Sequence, residues 1–352
     1  MPEKILARAS GFASLRMLME KIPASWSQAW LRSAIWLSAG LLFAWAWGVL
    51  AFSGHASDLR RGAVGLSGGA LLVLVWWGRR PGATPLRALL IAALAATCAA
   101  FLIRPINERE WAFDLAETPW SEVHGDIVTL HNVRNFEWRS ATEATPRWET
   151  RTFPLSALRH VDFIMTYWGS PHICHTMVSF DFGTHGRVCA SIEARRLAGE
   201  DYSPLAGVFR RYELNYVFGD ERDVLRVRTN FRAHNDVFLY RLTATPEAAR
   251  VQFLEYLRAA NALRNQPAWY NSLTGNCTTL IREHARALGI TLPWDWRLHA
   301  NGHAHEYLHR LGYISRDLPV EELKRRSHVT PAARLASLEN FSEEIRRGRP
   351  GF

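Results

Sequence analysis

A chain of 352 residues that is 48% hydrophobic can bury a sizeable core, which excludes a disordered or low-complexity protein. Its formal charge of +9 comes with no nucleic-acid-binding motif, so the basic surface suits anionic lipid head groups and nucleic acid is not expected as a partner. Four cysteines in this length exclude a disulfide-stapled scaffold and leave each thiol to be judged by its setting.

The first hundred residues are apolar and read as membrane. No formal charge occurs between Arg32 and Asp58, and residues 34–52 are long enough to cross a bilayer. Two shorter apolar runs, 62–78 and 87–103, complete three expected transmembrane helices, the last two joined through Pro81-Gly-Ala-Thr-Pro85 and with a re-entrant or interfacial hairpin as their alternative. Lys4, Arg8, Arg16, Lys21 and Arg32 precede the first span and Arg79, Arg80 and Arg87 separate the last two, against only Arg60 and Arg61 between the first and second. That asymmetry puts the N-terminus in the cytoplasm and everything after Arg104 across a bacterial inner membrane, in the periplasm. The expected organisation is a cytoplasmic segment 1–32, a membrane part 33–104, an exported domain 105–315 and a basic tail 316–352 with solvated helix faces and a frayed end.

The exported part reads as α+β. Strands are expected over 126–131, 214–218, 224–229 and 237–243, and Thr245-Pro246-Glu247 opens a helix with Val251, Leu254 and Leu257 on one stripe. Before them, Val178, Phe180 and Phe182 alternate with Ser179 and Asp181, Gly183-Thr-His-Gly186 supplies turn residues, and 187–193 returns as a strand. A hairpin centred near Thr184 pairs residues whose numbers sum to about 368, which brings Glu193 opposite His175. A carboxylate there can orient an imidazole. Cys174, on the other face of that strand, reads as packing, and its pairing with Cys189 is out of register for a disulfide.

Gly275-Asn276 then turns a loop into a helix, with Asn276 a favoured N-cap and Cys277 the first helical residue. Free backbone N–H groups and the positive end of the helix dipole favour a thiolate there, and the same N–H groups can receive an oxyanion. Cys277, His175 and Glu193 thus form a candidate nucleophile, base and orienter, with Tyr270 and Asn276 as candidate substrate or oxyanion contacts. His299, His303, His305 and His309 match no zinc spacing, so no metal or other cofactor is expected. Glu221, Arg222 and Asp223 read as a buried ion-pair network.

From Trp120 to Gly312 the chain resembles the periplasmic domain of the Lnb family, whose founding members are bacterial lipoprotein N-acyltransferases. The resemblance rests on His175-Thr-Met-Val-Ser-Phe, Ser191-Ile-Glu-Ala-Arg195, Gly219-Asp-Glu-Arg-Asp-Val224 and Asn276-Cys-Thr-Thr279, in that order. It implies a circularly permuted papain-like (NlpC-like) fold, with His175 as base preceding Cys277 as nucleophile, and membrane helices that here come before the domain. The function then expected is cysteine-dependent transfer of an acyl chain from a phospholipid, through a thioester on Cys277, to an amine such as a lipoprotein N-terminus. The same residues also suit a membrane-tethered peptidase or amidase acting on cell-wall peptide, a lipid hydrolase, or an inactive papain-like binding module.

Overall fold

The structure is a computed structural model that describes residues 24–52, 65, 68–69, 85–290 and 292–352. It separates into two units, Met1–Arg104 and Pro105–Phe352. In the first, α1 (Ala24–Phe52) and α2 (Pro85–Leu102) bury Ala39 and Leu89 in a small shared cluster. Among the described residues one segment, Ser33–Phe52 in α1, is long and apolar enough to cross a membrane by length and composition, with mean hydropathy 1.8. The apolar run in α2, Ile91–Leu102, is shorter. The expected second span and the Pro81 turn fall almost wholly outside the described residues, as does most of the N-terminal segment.

The second unit is α+β, as expected. Its strands are β1 (Trp120–His124), β2 (Ile127–Arg134), β3 (Glu137–Trp138), β4 (Ala144–Thr145), β5 (Trp148–Pro154), β6 (His160–Trp168), β7 (Cys174–Asp181), β8 (Arg187–Arg195), β9 (Glu213–Gly219) and β10 (Asn235–Arg241). Eight of them form one sheet in the order β1-β2-β9-β8-β7-β6-β10, with β5 also on β2. Every pairing is antiparallel except a short parallel contact of β2 with β9 at Arg134 and Gly219.

Strand alternation divides the core between the two faces of this sheet. Phe163, Val178, Phe180 and Ile192 meet Phe253, Tyr256 and Leu257 of α3 (Pro246–Asn265), together with Cys277 at the head of α4 (Cys277–Arg286). Ile164, Met177 and Cys189 point the other way, onto Val224, Leu225, Val329, Ala333, Phe341 and Ile345. The last four of these belong to the expected tail, whose apolar residues fill the second face where a frayed, solvated end was anticipated. Arg346 follows into the same face, 5% exposed at its side chain, and binds Asp162 Oδ2 at 2.7 Å and Glu221 Oε1 at 2.6 Å.

Two local expectations also change. Residues 224–229 are helical: Asp220 caps a turn over Glu221–Val224 by accepting from the Arg222 N–H, and a π-turn follows over Val227–Phe231. The β-branched residues that suggested a strand are buried there by contacts from other parts of the chain, which override so weak a preference. In α3 the expected Leu257 is buried and Leu254 packs against the core, but Val251 is exposed, and Ala249, Phe253, Tyr256, Ala260 and Leu263 complete the buried stripe. The two aromatics turn the helix toward the sheet because they bury the most surface. The expected network at Glu221–Asp223 is present: Glu221 joins Arg346, Asp223 takes both Nε and Nη2 of Arg134, and Arg222 pairs with Asp220.

Candidate functional site

The β7–β8 hairpin turns over Gly183–His185, and Phe180 faces Val188 while Met177 faces Ser191, in the expected register. The ladder stops at that last pair. Beyond it β7 stays on β6 as far as Cys174, and β8 stays on β9 as far as Arg195, so the two strands fork. The head of α4 is held at this fork, contacting both strands. The backbone N–H and the hydroxyl of Thr176, at the opening of the fork, both hydrogen-bond to Cys277.

His175 and Glu193 are therefore not ladder partners, yet they meet across the fork. His175 Nε2 lies 2.7 Å from Ser191 Oγ and 3.3 Å from Glu193 Oε1, and the Ser191 hydroxyl donates to that same carboxylate oxygen at 2.6 Å. Glu193 Oε1 also accepts from Arg228 Nη2 at 3.1 Å, and Arg228 Nη1 is held by the Val224 carbonyl. The imidazole also interacts with the Cys277 thiol, by charge and by hydrogen bonding. All three of the candidate nucleophile, base and orienter come together.

Burial by itself opposes ionisation of the Cys277 thiol. The charge of His175, its hydrogen bond and the two Thr176 donors outweigh this and bring the thiol down to about 7. Burial would also favour neutral imidazole, but Glu193 and then Cys277 hold His175 up at about 9. For Glu193 burial is again the largest opposing influence; His175, Arg228 and the Ser191 hydroxyl overcome it and keep the carboxyl well below its usual range. Both shifts favour a thiolate on Cys277 beside an imidazolium on His175.

The two auxiliary candidates are placed differently. The Asn276 side chain is committed to the helix: its oxygen accepts from the Thr278 and Thr279 N–H groups, its amide donates to the Ser272 carbonyl, and Thr279 Oγ1 completes a capping box. Its structural work is to set the start of α4, at which the Cys277 N–H precedes the first intrahelical bond. Tyr270 is buried, packed with Ala194, Ala206 and Tyr212, and its hydroxyl is 3.3 Å from that of Tyr202. Burial and then Cys277 raise its phenol, which stays protonated.

Four contributors went unnoticed in the sequence: Ser191, Arg228, Thr176 and Asn301. The Asn301 carboxamide accepts from the Cys174 N–H at 2.8 Å and donates to the Cys174 carbonyl and to Thr278 Oγ1, each at 2.7 Å. Thr278 Oγ1 in turn lies 3.1 Å from Thr176 Oγ1, so one side chain ties the start of β7 to the head of α4. Next to it, Gly302 leaves no room for a side chain, since a Cβ would fall 2.2 Å from the Pro171 carbonyl oxygen. The histidines farther along serve packing and loop contacts. His303 bridges His172 and Glu306, His309 Nε2 lies 3.0 Å from the Leu318 carbonyl, and His305 is buried against Tyr240. Among the described residues no three His, Cys, Asp or Glu side chains converge to hold a metal ion.

A capped helix bearing a thiol, a histidine on a neighbouring strand and a carboxylate behind it make this a thiol–histidine site in an α+β domain. Residues 144–302 match the Lnb N-terminal periplasmic domain, and this stretch of the chain belongs to that family. The match contains His175, Glu193 and Cys277 and ends just past Asn301. No curated protein and no solved structure matches the chain.

A test of the electrostatics follows. Alkylation of Cys277 by iodoacetamide, resolved by peptide mass, is expected to rise with a midpoint near pH 7, where an ordinary thiol would titrate higher. The sign is that of a depressed thiol: deprotonation sets in earlier as pH rises because His175 carries a positive charge. Glu193→Gln removes the charge that keeps His175 protonated, so the midpoint should move upward, although the value belongs to the coupled pair. An unshifted midpoint in the variant would show that Glu193 does not act through His175.

Proposed function

We propose that this protein is a membrane-anchored, periplasmic, cysteine-dependent acyltransferase that takes an acyl chain from phospholipid and passes it to an amine such as a lipoprotein N-terminus. The observation that carries the reading is the Cys277–His175 pair, with the thiol depressed, the imidazole raised and Glu193 with Arg228 behind it. Family membership supports the periplasmic setting, and α1 supplies a helix of spanning length for the anchor.

In the first half-reaction the Cys277 thiolate attacks the ester carbonyl carbon. A C–S bond forms, the C–O bond to the glycerol oxygen breaks, and His175 gives its proton to the leaving alkoxide, releasing a lysophospholipid. In the second, the amine nitrogen attacks the thioester carbonyl and a C–N bond replaces the C–S bond. The proton lost by nitrogen returns to His175, which restores the thiolate–imidazolium pair. The Cys277 N–H, at the head of α4, is the backbone donor for the oxyanion of either tetrahedral intermediate in this reading. Glu193, held by Ser191 and Arg228, keeps the imidazole oriented and charged.

The test is intact-mass spectrometry of the purified protein after incubation with phosphatidylethanolamine vesicles. A fatty acyl adduct that maps to Cys277, and that an added amine-bearing lipopeptide discharges with acylation of its amine, is the expected result. An adduct discharged only by water would make the protein a lipid hydrolase. No adduct from any phospholipid, with cleavage of cell-wall peptide, would make it an amidase.

A further inference from the structure

Behind the nucleophile helix lies a cavity of about 270 Å³, lined by Phe163, Thr278, Ile281, Ala285, Leu288 and Leu308 among others. The pocket is partly open to solvent, and its lining is almost wholly hydrocarbon, which suits an apolar guest. The lone charged residue among the lining, Arg282, turns Nη2 to the Leu292 carbonyl at 2.9 Å.

The cavity also has a direction. Thr278, Ile281, Arg282 and Ala285 recur at three- and four-residue steps, so they form one stripe along α4, and that stripe starts at the residue after Cys277. Thr278 Oγ1 is 3.9 Å from Cys277 Sγ. The cavity thus begins one side chain from the sulfur and runs away from it along the helix. Its volume is nearly twice the roughly 150 Å³ that admits a benzene-sized guest, which leaves room for a chain on the order of ten carbons.

We infer that this cavity is the seat of the acyl chain while it is esterified to Cys277, with Thr278 at its mouth. The inference rests on the thioester reading for its attachment point, but the cavity as a fatty-chain site can be tested apart from it. Chain length is the property it would select, because each methylene withdrawn from water adds a like increment of binding and a filled cavity loses those increments together.

The experiment uses the full chain in detergent with Ala285→Trp and, independently, Ala248→Phe, both of which project bulk into the cavity. The ratio of kcat/KM for p-nitrophenyl decanoate to that for p-nitrophenyl acetate is expected to fall at least tenfold in each variant. Two folded variants that keep the wild-type ratio would overturn the inference. If no ester acylates Cys277, the acyltransferase reading fails, and the cavity is then judged by calorimetric binding of decanoic acid to the Cys277→Ala protein. Saturable binding that Ala285→Trp abolishes supports the site; absence of binding removes it. Should neither filled variant fold, decanoic acid binding with competition by dodecanoic but not acetic acid decides in the same way.

Discussion

Cys277→Ser is expected to lower phospholipid turnover by about a thousandfold or more while leaving the domain folded. Serine nearly preserves the volume at the head of α4 and keeps the Asn276 cap, so thermal stability should change little. The chemistry is what changes. A thiol brought down to about 7 is substantially ionised at neutral pH, whereas a hydroxyl in the same place is scarcely ionised and depends on His175 to take its proton during attack. The decisive measurement is release of lysophospholipid by the purified variant at matched thermal stability, and full turnover by Cys277→Ser would refute the mechanism.

The largest expected effect on stability is far from the thiol, at Arg346→Met. The Arg346 guanidinium binds Asp162 through Nε and Nη2 and Glu221 through Nη1 and Nη2, and both carboxylates are fully buried. Asp162 keeps a second cation, Arg241, and Glu221 keeps the Ser179 hydroxyl, but neither offsets the loss of the charge between them. Stranding buried charge in this way costs about 3–5 kcal/mol. For a domain of this size that is roughly a 10 °C fall in Tm, readable by calorimetry. Restoring the charge balance with Glu221→Gln in the same chain, which leaves Asp162 paired with Arg241, should recover part of the loss. An unchanged Tm for Arg346→Met would show the network to be energetically idle.

What could be read from the sequence was what local spacing encodes. The cap at Asn276, the thiol at the first helical position and the hairpin register are each set by a few neighbouring residues, so they were legible; the register pointed to Glu193 beside His175, although the ladder ends before that pair and the two meet across the fork. The point where the ladder stops was not legible, because strands part where something else enters between them, and what enters is a helix from a hundred residues on. Ser191, Thr176, Arg228 and Asn301 owe their places to that meeting. None has a local signature that separates it from an ordinary strand serine, strand threonine, surface arginine or loop asparagine. The last helices were misread for a related reason: Lys324, Arg325, Arg326, Arg347 and Arg349 give that stretch a solvated composition, while Val329, Phe341, Ile345 and Arg346, which enter the core, are a minority of its residues. The membrane part was read from composition alone, and the described residues bear directly on its first span.

The Asn301 clip and the Arg346 strut set an order of events during biogenesis. Asn301 fastens Cys174 across 127 positions, and Arg346 closes on Asp162 across 184. A chain that emerges N-terminus first exposes β6, β7 and β8 long before either partner is available, so one face of the sheet must wait uncovered and the thiol cannot meet its histidine until α4 has followed. Pairing over such distances closes long loops and is slow. The Cys277–His175 pair is therefore assembled late, after all the strands of the sheet have emerged, and is tied down only when Asn301 follows.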